Sequence, residues 1–134
     1  MLNQKKAKDY VIATGKQYSV REFIIWTANA LGIDIKFKGT GINEIGVVIG
    51  VSGDLCPFVN IGKEIVRIDA RYFRPTEVET LLGDASKAKN DLGWKPVITA
   101  QEMCKEMVIE DYKAAQRLSL LKENNLEIPF TIEN

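Results

Sequence analysis

The chain has 134 residues and not one is histidine. That removes the commonest general base, the commonest metal ligand and every Ser-His or Cys-His arrangement, so a hydrolase of triad type is excluded. Cysteine is scarce. Cys56 and Cys104 stand far apart without CxxC spacing, so a zinc site would need carboxylates to complete it. The two thiols read as free, which fits a cytosolic setting. An excess of either charge is missing as well. Eighteen basic residues balance eighteen acidic ones, which favours neither a nucleic-acid backbone nor an anionic membrane surface as partner. No apolar run approaches the roughly 18 residues of a membrane-spanning helix. The stretch Met1-Leu2-Asn3-Gln4-Lys5-Lys6 is not followed by the apolar core of a secretory signal. A phosphate-cradling glycine fingerprint is also lacking: Gly39, Gly41, Gly46, Gly50 and Gly53 show no GxGxxG spacing and no Lys-Ser/Thr after a glycine.

What is present is an ordinary globular composition, 46% hydrophobic and 27% charged, at one domain's length. Tyr10-Val11-Ile12-Ala13, bounded by Asp9 and Thr14-Gly15, predicts a buried strand. Ser19-Val20-Arg21-Glu22 is a capping box. Val20, Phe23, Ile24, Thr27, Ala28 and Leu31 continue at helical spacing, and Gly32 stands where a left-handed C-cap belongs. Ile33, Ile35 and Phe37 alternate with Asp34 and Lys36 as in a half-buried strand. The glycine-rich stretch that follows reads as a long loop with a β-excursion at Val47-Val48-Ile49. Ile65-Val66-Arg67-Ile68 reads as another strand. Asp84 is placed to cap a short helix with Ala88 and Leu92 on one face, Gly93 as its C-cap, and Pro96 forbidding continuation. Thr99-Ala100-Gln101-Glu102, a second capping box, opens a long helix to about Lys122. Its expected packing face is Met103, Met107, Val108, Ala115 and Leu118, with the methionines as core filler. These readings give an α/β (or α+β) unit over residues 1–134, with few short strands and two main helices.

No catalytic constellation emerges. Glu106 and Glu110, four apart, read as a solvated helix face, and Glu77 and Glu79 need a fold to converge. Tyr10, Tyr18, Tyr72 and Tyr112 each lack a lysine four residues on, so no phenol has an ammonium placed to lower its pKa. The segment Arg71-Tyr72-Phe73-Arg74-Pro75-Thr76-Glu77-Val78-Glu79-Thr80 is more telling. Pro75 biases Arg74 toward an extended conformation, and Arg74 and Glu77 lie three residues apart. A guanidinium fork suits phosphate oxygens, and a carboxylate accepts from sugar hydroxyls. The pair is a candidate site for a phosphorylated, sugar-bearing ligand; a surface Arg–Glu ion pair at a loop edge has the same appearance.

Four strings coincide with one family. Ala13-Thr14-Gly15-Lys16-Gln17-Tyr18-Ser19-Val20-Arg21-Glu22-Phe23, Arg71-Tyr72-Phe73-Arg74-Pro75-Thr76-Glu77-Val78, Leu82-Gly83-Asp84-Ala85-Ser86-Lys87-Ala88 and Leu92-Gly93-Trp94-Lys95-Pro96 resemble, in order and spacing, the C-terminal part of GDP-mannose 4,6-dehydratases. These belong to the extended short-chain dehydrogenase/reductase superfamily. The resemblance covers about residues 8–134. The Gly-Trp-x-Pro string is shared across the superfamily; the first two strings are more specific. One departure is Ala70, where proline is usual.

The resemblance implies the C-terminal substrate-binding lobe of a Rossmann-fold enzyme, without the Rossmann core. The family enzyme uses NADP to convert GDP-mannose to GDP-4-dehydro-6-deoxy-mannose and water, and is a homo-oligomer. By position, Arg74 would contact the diphosphate and Glu77 the ribose, with Tyr72 in the pocket wall and Arg21 structural. The chain begins inside the family sequence and holds neither the cofactor fingerprint nor the family's catalytic residues. It is therefore expected to bind no NADP and to be inactive alone, as a truncated reading frame or half of a split enzyme whose Rossmann half is supplied in cis or in trans. A stand-alone GDP-sugar-binding module and a vestigial interaction protein are the alternatives. An exposed apolar patch and an open strand edge are expected to follow.

Overall fold

The computed structural model describes residues 6–74 and 81–126. Three strands, β1 (Ile33–Lys38), β2 (Ile45–Val51) and β3 (Glu64–Arg67), form one antiparallel sheet in chain order. A 3-10 turn, Gly41–Asn43, links the first two. The glycine-rich stretch is thus not a long loop with a short excursion. It contains the seven-residue central strand. The two glycines inside this strand mark close approach rather than turning: a Cβ on Gly46 would lie 2.9 Å from Cβ of Val66, and one on Gly50 2.8 Å from Oδ2 of Asp34. Two bulges sit side by side. Asp34 pairs with Gly50 but Ile35 with Val48, and Gly46 pairs with Val66 but Val47 with Glu64. Ile49 and Ile65 are therefore the extra residues, and both are exposed.

Helix α1 (Val20–Ala30) opens on the expected capping box. The Glu22 N–H donates to Ser19 Oγ at 3.1 Å and the Ser19 N–H to Glu22 Oε2 at 2.7 Å. Gly32 leaves the helix at φ +75°, and the Ser52 N–H donates to its carbonyl at 2.7 Å, bringing the end of β2 to the end of α1. Ala28, Ile33 and Val48 form the core where α1 crosses the sheet, with Leu31, Ile35, Val51, Cys56 and Val59 packed around them. Helix α2 (Ser86–Leu92) ends at Gly93 in the left-handed region, and the Trp94 N–H reaches back to the Ala88 carbonyl. The N-cap of α2 is Ala85, which makes no side-chain cap bond; Asp84, expected as the cap, stands one residue earlier and accepts from the Ser86 N–H at 2.9 Å. Helix α3 (Ala100–Glu123) opens on the Thr99–Glu102 capping box and packs on α1.

Two expectations are corrected. On α3, Val108 is buried as expected, with Cys104 beside it, while Met103 and Met107 are about half exposed and Ala115 and Leu118 also face outward. The helix turns its cysteine, not its methionines, onto α1, where Cys104 Sγ lies 3.3 Å from Thr27 Oγ1. Residues 10–13 are not a strand, and Val11 and Ile12 are exposed. An apolar run becomes a strand only with a neighbour to pair its backbone, and the described sheet is built wholly from residues 33–67. The segment is held instead by side chains: Lys8 and Tyr10 both donate to Asp91 of α2, at 3.0 and 3.2 Å, and Lys87 Nζ donates to the Asp9 carbonyl at 2.8 Å.

Candidate functional site

The arginine-rich segment leaves β3 through a turn governed by Asp69. The Asp69 carbonyl accepts from the Tyr72 N–H at 3.1 Å, and its Oδ1 accepts from the Arg71 N–H at 2.9 Å. The same carboxylate takes the Arg71 guanidinium, with Nε at 3.1 Å and Nη2 at 2.6 Å from Oδ2. The Arg71 side chain and then its amide hold the Asp69 carboxyl below the usual aspartate range. Arg71 also lies over the Tyr72 ring, 5.5 Å from its centroid.

The two arginines thus differ. Arg71 is engaged. Arg74, three residues on and exposed, has no ion-pair or hydrogen-bond partner among the described residues. Tyr72 is exposed with its ring against Arg71. Glu77, with Pro75 and Thr76, lies outside the described residues. Arg21 is bonded to Glu44 and sits over the Phe37 ring at 5.3 Å. Asp69 is not singled out by the sequence. Its signal is an Asp two residues before an Arg at a strand exit, the spacing at which an aspartate accepts from the backbone ahead of it.

A separate cleft of about 700 Å³ lies between Ala13–Gly15, Leu82–Ser86 and Trp94–Pro96, with Lys89 on its rim. It carries the hydroxyls of Thr14 and Ser86, the carboxylate of Asp84 and two lysines, Lys89 and Lys95, neither ion-paired among the described residues. Three of the four strings quoted above meet there. Arg74 and Tyr72 do not line it. The described residues contain no group of three or more metal-ligating side chains, and no described helix is long and apolar enough to cross a membrane.

A sequence-family model for GDP-mannose 4,6 dehydratase matches residues 1–107. The chain belongs to this family. The match takes in the sheet, the turn carrying Arg71 and Arg74, and α2, and it ends within α3. A GDP-mannose 4,6-dehydratase of Vibrio cholerae is 56% identical over 133 residues, 99% of this chain and 36% of the relative. One of Yersinia enterocolitica is 51% identical over 134 residues, 100% of this chain and 36% of the relative. An Arabidopsis thaliana GDP-mannose 4,6 dehydratase 1 is 40% identical over 123 residues, 92% of this chain and 27% of the relative. The chain therefore spans about a third of the length of the GDP-mannose 4,6-dehydratases it matches.

Proposed function

We propose that this chain is the nucleotide-sugar-binding part of a GDP-mannose 4,6-dehydratase. Arg74 grips the diphosphate, Glu77 the ribose hydroxyls, and Tyr72 forms part of the pocket wall. The observation that carries this reading is the difference between the two arginines: Asp69 holds Arg71, and Arg74 keeps an unused fork among the described residues. A planar, permanently charged fork without a carboxylate partner is suited to phosphate oxygens. Family membership supplies the ligand, since the relatives are named for GDP-mannose.

The family's NADP is assigned to the remainder of the enzyme. A dinucleotide's pyrophosphate needs a glycine-rich turn from a strand into a helix N-terminus. Here Gly46 and Gly50 lie inside β2, with Val66 and Asp34 filling the space their side chains would occupy. In this reading the chain is the C-terminal lobe of an extended short-chain dehydrogenase/reductase and works in the cytosol. The Rossmann part and further subunits of the oligomer pack on its apolar faces. The dehydration to the 4-dehydro-6-deoxy sugar is carried out by groups that those parts supply.

Calorimetric titration tests the site. GDP-mannose is expected to bind, and Arg74→Ala to weaken it by roughly 1.5–3 kcal/mol, the scale of a hydrogen bond to a charged group. Arg74→Lys should recover only part, because the charge returns without the fork. Equal affinity of the wild-type chain and Arg74→Ala would remove Arg74 from the site.

A further inference from the structure

We infer that Asp69 is a positioning residue for this site: it builds the turn that delivers Arg74 and holds Arg71 away from the ligand. The inference rests on the diphosphate reading of Arg74 and goes beyond it by assigning opposite tasks to two neighbouring arginines. Two observations carry it. First, Asp69 closes its turn twice through the backbone, by its carbonyl to the Tyr72 N–H and by its Oδ1 to the Arg71 N–H, so the chain entering Arg74 leaves β3 in one direction. Second, the same carboxylate binds the Arg71 fork from Nε and Nη2. Left free, Arg71 would be a second guanidinium within three residues of the first, able to take a polyanion in more than one pose. The pair therefore engages the Arg71 fork while the Arg74 fork has no partner among the described residues.

The two tasks separate by substitution. Asp69→Asn keeps an oxygen that can accept from the Arg71 N–H and so keeps the turn, but it releases the guanidinium. Asp69→Ala loses both. With GDP as probe and the whole 134-residue chain, Asp69→Ala is expected to raise Kd about tenfold, the low end of the scale of a charge-assisted contact. Asp69→Asn should bind within about twofold of wild type but with a steeper salt dependence, as a second cation joins the phosphate. Arg71→Ala should also stay within about twofold. Asp69→Ala binding as well as wild type, or Arg71→Ala weakening GDP as much as Arg74→Ala, would overturn the inference. Should the wild-type chain give no heat with GDP, the ligand reading itself falls. The turn is then judged by hydrogen exchange at the Arg71 and Tyr72 amides. Protection lost in Asp69→Ala and kept in Asp69→Asn sustains it, and equal exchange in all three proteins overturns it.

Discussion

At the scale of single residues, position in the backbone outweighs side-chain chemistry at several points. Gly32 and Gly53 have nearly the same φ, +75° and +71°. Around Gly53 there is open space, whereas a Cβ on Gly32 would lie 2.0 Å from the Ser52 carbonyl oxygen. Gly53→Ala should therefore cost about 1–2 kcal/mol, the left-handed penalty alone. Gly32→Ala should cost more than that in chemical denaturation, because the oxygen it meets is backbone and cannot turn aside. Equal midpoints for the two variants would mean that the helix-to-strand junction yields freely. The candidate site was legible only in part. Arg74 stands out in the sequence because proline follows it and a glutamate lies three residues on. That its neighbour Arg71 is already occupied could not be read there, since it depends on the direction in which Asp69 turns the chain.

At the scale of elements, both long helices declare themselves through the same device, and the structure has each in place: Ser19 with Glu22, Thr99 with Glu102. Ser19→Ala or Thr99→Ala should each lower stability by about 1 kcal/mol in thermal or urea unfolding. In both boxes the carboxylate is held below the ordinary glutamate range, first by the backbone N–H of Ser19 or Thr99 and then by the hydroxyl. A carboxyl depressed in the folded state stabilises above its unfolded pKa, about 4.3. That contribution is lost as pH falls through the folded value. The fall in Tm on going from pH 5 to pH 3 should be smaller in a Glu22→Gln, Glu102→Gln double variant than in wild type; an equal fall would deny the boxes a role in acid stability. Local signals explain why these elements were legible: the capping boxes for α1 and α3, alternation for β1, and Gly93 for the end of α2. The central strand was not, because glycines that mark turns elsewhere here mark the close passage of Val66 and Asp34. The segment 10–13 was misread for the converse reason. Apolar composition is a local property, whereas strand pairing depends on a partner that composition cannot reveal. The face of α3 was legible at Val108 but not at Cys104, because Met103 and Met107 offer a second apolar stripe and packing chooses between them.

At the scale of the whole molecule, the accessible surface is the informative quantity. Among the described residues the buried apolar side chains are few and mostly small, and Phe58, Ile61, Tyr72, Leu81, Val97 and Met107 are among those left exposed. Strands β1 and β3 both form open edges of the described sheet. Such a surface favours association. Sedimentation velocity is expected to show concentration-dependent self-association at micromolar protein, with broad thermal transitions; a monodisperse monomer that melts sharply would contradict it. The attachment of residues 8–10 to α2 has a consequence in time rather than energy. Lys8 and Asp91 are 83 positions apart, so their meeting closes a very long circuit, and the contacts that reward the closure are exposed, charged and weak. Such a clasp is expected to form late, after the sheet and α1 are in place, and to loosen with salt. The expected result is a fastening that opens and closes while the core stays folded.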